Sequence, residues 1–269
     1  MACDGFFKDR SQERGGRQHL LTDAHAHIGS MTEIEERLCR RIPSMISVGC
    51  PQEAEQLNGI LGHRECDGVL IPTYGLHPWH ADRDALKRME PYLECSDLIG
   101  EIGMDSVWCE VPLELQREVF EYQLAYACEN SKPVILHTKG QEKAIAGILR
   151  KYPNRYLVHW YSSELWQEDY LDLDCYFSIG PDVWWNPAVR KLAQQVSEDR
   201  ILIETDGMGA VRWAYEEADA NQIGFGVRKP PQTLEAALGN TLETVAGIRG
   251  TGCQALADQI GKNFRRFCR

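Results

Sequence analysis

Eight short apolar runs of strand-like composition recur along this 269-residue chain, and each is followed by a stretch of helical spacing or composition. The runs predict strands over 19–28, 44–50, 68–76, 97–104, 133–138, 155–160, 175–179 and 200–205. Helices are expected over 33–41, 53–63, 84–95, 113–130, 141–151, 165–173 and 187–197, with two more, 233–248 and 254–267, after the last strand. Repeated strand-then-helix units imply parallel strands joined by right-handed crossovers. Eight such units in about 250 residues imply an α/β fold of the closed (β/α)8 TIM-barrel type. An open doubly wound sheet is the alternative. It carries a glycine-rich phosphate turn after its first strand, whereas here that strand ends in His25-Ala26-His27-Ile28-Gly29.

One barrel over 19–269 accounts for most of the length, and such a chain buries a large core without staples. Residues 1–18 are charged and lack apolar periodicity, so they read as a flexible or loosely packed leader. The net charge of -11 argues against a broad basic surface for duplex nucleic acid. It leaves room for a phosphate-bearing substrate, because bound metal ions supply positive charge locally. The 10 cysteines are scattered, with no C-x-x-C pair. The N-terminus has no apolar signal core, and no apolar run reaches the roughly 18 residues that span a bilayer. These features point to free thiols, a reducing cytoplasmic location and no membrane partner.

The chemistry gathers where the predicted strands end. Side chains alternate across a strand, so Asp23, His25 and His27 share one face. Glu101 ends the fourth strand, His137 the fifth, His159 the sixth and Asp206 the eighth, while His77 and His80 follow the third. In a barrel, catalytic groups come from the C-terminal ends of several strands, and imidazoles with carboxylates suit a divalent metal of borderline softness. His25, His27, Glu101, His137, His159 and Asp206 make six candidate ligands, too many for one open catalytic zinc with three protein ligands. Two divalent ions bridged by Glu101 use all six, with His25, His27 and Asp206 on one and His137 and His159 on the other. Zinc is foremost, with manganese, iron, nickel or magnesium as alternatives. Gly100 and Gly103 beside Glu101 are expected to leave space for an ion or substrate. Each residue also has a plainer reading: His159 stacked in the core beside Trp160, Glu101 paired with an arginine, Asp206 capping a helix.

Taken in order, Thr22-Asp23-Ala24-His25-Ala26-His27, Gly75-Leu76-His77-Pro78-Trp79, Ile99-Gly100-Glu101-Ile102-Gly103-Met104-Asp105, Pro133-Val134-Ile135-Leu136-His137-Thr138-Lys139, His159-Trp160-Tyr161-Ser162 and Ile203-Glu204-Thr205-Asp206 resemble the motifs of the TatD family of metal-dependent hydrolases. The resemblance runs from about residue 20 to the C-terminus. It implies an amidohydrolase-like TIM barrel with a divalent metal centre, and phosphodiester hydrolysis of DNA from an exposed end. It carries metal binding onto the same six residues. The chain departs from the family at Lys139, where an arginine is usual, at Trp160-Tyr161-Ser162-Ser163 after the sixth strand, and in a loop of different character over 207–231. Lysine is a point charge where arginine offers a fork. These positions are where substrate would be read, so a small amide, lactone or phosphoester stands beside DNA as substrate.

Among supporting residues, Asp206 and Glu101 are the catalytic candidates, Asp206 also as acceptor of the nucleophilic water's proton. His77 and Lys139 are candidate substrate contacts. Glu204 and Asp23 share faces with ligands and could orient them; for Asp23 the other reading is a structural hydrogen bond lower in the barrel. Asp105 is read as fixing a loop. Trp184-Trp185 and Trp213-Ala214-Tyr215 form either an aromatic wall over the barrel mouth or a brace between helices.

Overall fold

The computed structural model describes residues 21–62, 68–220 and 228–269. The expected leader over 1–18, the start of the first predicted strand, His63 and part of the 207–231 segment lie outside them. Among the described residues there are eight strands: β1 Asp23–His27, β2 Ser44–Val48, β3 Leu70–Tyr74, β4 Ile99–Gly103, β5 Val134–His137, β6 Tyr156–Val158, β7 Tyr176–Ile179 and β8 Ile201–Ile203. They pair in parallel and in sequence order. Helices α1 Met31–Arg40, α2 Pro51–Gly62, α3 Arg83–Cys95, α4 Leu113–Glu129, α5 Glu142–Leu149, α6 Gln167–Asp172 and α7 Pro187–Gln195 follow the first seven strands in turn. Three more, α8 Met208–Ala220, α9 Leu234–Arg249 and α10 Cys253–Phe267, follow β8. This is the (β/α)8 barrel. Its core joins strand residues such as Ile46, Ile135 and Phe177 to helix residues such as Leu57, Leu124 and Leu238, all fully buried.

The barrel closes between β8 and β1 through a few specific hydrogen bonds. The Asp206 N–H donates to the His25 carbonyl at 3.0 Å. Below it, Asp23 accepts from the Thr205 N–H at 2.9 Å and the Thr205 hydroxyl at 2.6 Å. Arg37 of α1 completes the group, donating to Asp23 at 2.7 Å and to Ser44 of β2 at 2.6 Å. Asp23 and Arg37 are both wholly buried. Two charges so placed persist only when each satisfies the other. The pair therefore ties β1, β2, β8 and α1 together beneath the mouth of the barrel.

Local signals set the helix starts. Ser30 and Glu33 form a capping box at the head of α1. The second Glu33 oxygen accepts the Met208 N–H at 3.0 Å, which anchors α8 above the same seam. Asp82, Asn186 and Thr233 cap α3, α7 and α9 with their side chains.

One expectation is corrected. The segment after Asp206, read as a loop, begins with the 13-residue helix α8. Its buried residues Val211, Ala214, Tyr215 and Ala218 fall at helical spacing on one face. Gly207 and Gly209 at its head disguise that periodicity.

Replacing Asp23 with Ala should leave Arg37 buried and unpaired, lowering stability by roughly 3–5 kcal/mol. Chemical denaturation measures this, and an unchanged midpoint would show that the seam does not depend on the pair.

Candidate metal centre

Histidines at the ends of β1 and β5, His159 just after β6 and His77 after β3 meet around one buried carboxylate, Glu101 in the middle of β4, with Asp206 just after β8 facing the β1 pair. The two oxygens of Glu101 face different partners. Oε2 lies 3.3 Å from His25 Nε2 and 3.5 Å from His27 Nε2. Those same nitrogens stand 3.4 and 3.5 Å from Asp206 Oδ1. Oε1 lies 2.6 Å from His159 Nε2, 2.7 Å from His137 Nδ1 and 3.6 Å from His77 Nε2. Three sets of donors have the spacing of a metal site: His25 with His27 and Asp206, His25 with Glu101 and His159, and His77 with Glu101 and His137.

The donor set fits divalent ions on a second ground. His25 Nε2 faces both Glu101 Oε2 and Asp206 Oδ1, and all three atoms are buried with no hydrogen bond among the described residues. Two donors about 2.1 Å from one ion at a tetrahedral angle stand about 3.4 Å apart. The four nitrogen–oxygen separations on the Oε2 side match that spacing.

Backbone packing explains how the strands converge. A Cβ on Gly103 would lie 1.9 Å from the His137 carbonyl oxygen, so only glycine lets β5 come this close. A Cβ on Gly100 would meet Ile135 at 2.8 Å. The space beside these glycines is thus filled by β5; it is not the room for an ion or substrate that the sequence suggested. Asp206 has a left-handed backbone, φ 57°, which aspartate tolerates better than most residues.

Ring orientations are held from behind. His25 Nδ1 is 3.2 Å from the Ser47 hydroxyl, itself 2.7 Å from that of Thr73. His137 Nε2 is 3.1 Å from Asp105, which also accepts from the Trp79 indole at 2.7 Å and from the backbone of Val107 and Trp108. Gln116 of α4 fixes the Asp105 backbone through both its N–H and its carbonyl. His159 Nδ1 stands 3.7 Å from Glu204, which is wholly buried. Asp23 is bonded to Arg37 and Thr205 and lies in the closing seam. Ser47 and Asp105 complete the support that the strand-end reading did not assign. A lone polar residue in the apolar run Met45-Ile46-Ser47-Val48 was the available signal for Ser47.

Electrostatics follow from burial. Burial opposes the charge on Glu101, yet His159, His77, His25 and His137 together hold its carboxyl well below the usual range. Burial and His159 both oppose the charge on His25, but Glu101 and Asp206 outweigh them and carry it up to about 9. Burial likewise opposes charge on His159 and His137, and Glu101 leads in raising both. Asp206 resists burial through His25 and His27 and is lowered. His77 is the exception: burial takes it down to about 4. Its Nδ1 accepts the Trp79 N–H at 3.2 Å, so the neutral ring carries its proton on Nε2, facing the cluster. Burial pushes the Glu204 carboxyl up. The centre as a whole gathers positive charge about buried carboxylates.

The cluster opens into a cleft of about 770 Å³ at the barrel mouth, which Lys139, Trp79, Trp108, Trp160, Trp185 and Trp213 also line. Lys139 lies 3.2 Å from the Ser162 hydroxyl. The aromatic pairs after β7 and β8 divide between the two readings. Trp184 and Tyr215 are buried against each other and brace the helices. Trp185 and Trp213 line the cleft, Trp185 also donating its indole N–H to the Ala214 carbonyl.

A (β/α)8 barrel with buried histidines and carboxylates at its strand ends is the architecture of a metal-dependent hydrolase. The family model described as "TatD related DNase" matches residues 22–269, and the chain belongs to that family. It is 27% identical over 207 residues to the uncharacterized metal-dependent hydrolase YabD of Bacillus subtilis, covering 70% of this chain and 80% of YabD. It is also 27% identical over 233 residues to the protein of Erwinia billingiae named 3'-5' ssDNA/RNA exonuclease TatD, covering 81% and 84% of the two chains. The crystal structure of YjjV, a TatD homolog from Escherichia coli, superposes with a TM-score of 0.74 over 91% of this chain and 96% of YjjV, at 18% identity.

A metal must displace the proton that His25 holds up to about pH 9. Zinc binding near neutral pH should release protons, and affinity should rise as pH climbs toward that value. Calorimetry in buffers of different ionisation enthalpy measures the release; an affinity flat between about pH 6 and 9 would contradict it.

Proposed function

We propose that this chain hydrolyses phosphodiester bonds at the end of a single-stranded nucleic acid, with two divalent ions at the Glu101 centre. The observation that carries the reading is the division of Glu101: one oxygen faces His25 and His27, which Asp206 also faces, and the other faces His137, His159 and His77. A carboxylate shared in this way is what a bridging ligand requires. His25, His27 and Asp206 would hold one ion, His137 and His159 the other, and Glu101 both. Zinc suits the imidazole-rich set best. When bound, such ions acidify a water and offset the charge that builds on phosphoryl oxygens.

The chain's own groups complete the chemistry. Asp206, ionised at neutral pH, accepts the proton of the attacking water. His77, neutral and with its proton on Nε2, donates a hydrogen bond toward the reacting group. Lys139 neutralises a substrate phosphate oxygen from the cleft wall. Asp105 orients His137 from behind through a hydrogen bond, and the buried Glu204 carboxyl faces His159 Nδ1 from 3.7 Å. The name of the Erwinia relative supports a nucleic-acid substrate. A second reading is favoured by the cleft itself, where Lys139 is the one lysine or arginine among the described lining residues: a small amide, lactone or phosphoester needs no cationic track. A reducing cytoplasm suits the free thiols, and no helix among the described residues is long and apolar enough to cross a membrane.

With zinc or manganese, the protein should cleave single-stranded DNA or a small phosphodiester. Asp206→Asn should lower kcat by roughly 10²–10⁴-fold, with metal content measured alongside. Turnover of an amide or lactone alone, with every phosphodiester inert, would sink the proposal.

A further inference from the structure

Five of the seven tryptophans of the chain line the cleft. Three of them form a continuous wall. Trp108 and Trp213 meet edge to face with ring centroids 6.1 Å apart, and Trp213 meets Trp160 in the same way at 5.9 Å. Trp160 directly follows the ligand candidate His159, and its ring is fixed. Its indole N–H donates to Asp182 at 2.7 Å, and Asn186 holds the other Asp182 oxygen at 2.7 Å. The ring lies over Gly180, where a Cβ would come within 2.6 Å of it. The wall therefore begins beside the ligand cluster on a rigid footing and runs outward through Trp213 to Trp108.

These rings are not a brace. Bracing buries aromatic surface, as Trp184 and Tyr215 do nearby. Trp108 and Trp213 remain 52% and 43% exposed. Apolar faces left to water inside a cleft mark a place where a flat, apolar group settles. The charges around the wall say what that group is attached to. Lys139 Nζ lies over the Trp108 ring, 4.4 Å from its centroid, so one cation covers a face of the outermost tryptophan and leaves Trp213 as the more open ring. Glu53, Glu142 and Asp182 are the other ionisable residues in the lining apart from the histidines and the two carboxylates of the cluster. A groove that follows a strand needs a succession of cations along the backbone. Among its described lining residues this one offers a single lysine or arginine and several acids, which repel further phosphates.

We infer that Trp108, Trp160 and Trp213 form a stacking subsite for one terminal nucleobase, and that the cleft recognises a single nucleotide and not a strand. The inference rests on the phosphodiesterase reading, since the phosphate attached to that base would be the group at the metal centre. None of the three tryptophans belongs to the ligand set. Substituting them tests recognition without removing the centre.

The test is calorimetric titration of the zinc-loaded protein with thymidine 5'-monophosphate, 2-deoxyribose 5-phosphate and thymidine. The nucleotide should bind about fivefold to a hundredfold more tightly than the sugar phosphate, the range that stacking one base supplies. Trp213→Ala should erase most of that advantage and leave the sugar phosphate unchanged. Trp108→Ala, on a different element, should act in the same direction. KM for a dinucleotide and for a long single strand should agree within about threefold. Equal affinity for nucleotide and sugar phosphate, equal weakening of both by Trp213→Ala, or a KM that falls steadily with length would overturn the subsite. Thymidine binding as tightly as its monophosphate would overturn the assignment to a nucleotide. If the nucleotide preference and both tryptophan substitutions behave as predicted but no phosphodiester is cleaved, the hydrolytic reading fails while the stacking subsite stands.

Discussion

The site depends on one buried negative charge. Glu101 is 1% exposed, and no lysine or arginine reaches it among its described partners. Only imidazoles stand close enough to stabilise it, and they arrive from β1, β5, β6 and the turn after β3. An ionised carboxylate so placed is costly unless cations face it. In the protein alone, protons on the histidines meet that need, which is why His25 and His159 hold theirs so firmly. A divalent ion meets the same need with more charge, and with no protons to hold. The anomalous acidity and basicity of the cluster are thus two sides of a pocket shaped for positive charge.

Holding such a cluster needs a scaffold that does not yield. The Asp23–Arg37 pair closes the barrel just below the ligands, so the strand carrying His25 and His27 and the turn carrying Asp206 share one rigid joint. Behind β5, Gln116 fixes the loop that begins at Asp105, and Asp105 in turn faces His137. That same carboxylate holds the Trp108 backbone and the Trp79 indole. Metal centre and aromatic wall therefore share a support, and neither can shift far without the other.

Much of this was legible in the sequence. Eight strand-and-helix units specified the barrel, and the strand ends named the residues that now meet around Glu101, because strand direction decides which end of a run reaches the mouth. What was not legible has physical causes. Helix α8 was hidden by the glycines at its head, although Val211, Ala214, Tyr215 and Ala218 already spelled its buried face. Gly100 and Gly103 were noticed beside Glu101, but their purpose, the close approach of β5, depends on a neighbour that periodicity does not reveal. Asp23 shares a face with two ligand candidates, yet its partner Arg37 lies on a helix whose apolar stripe gives no hint of a buried guanidinium. The wall of tryptophans draws on the loop after β4, the turn after β6 and helix α8, and only the folded chain sets Trp108 and Trp160 against Trp213.

The proposed chemistry requires Glu101 to serve two ions at once. Anomalous diffraction from crystals soaked in manganese or zinc addresses that most directly. Two peaks are predicted, one on each side of the Glu101 carboxylate, the first among His25, His27 and Asp206 and the second among His137 and His159. A single peak, or two peaks of which only one touches Glu101, would contradict the bridging carboxylate and with it the proposed chemistry.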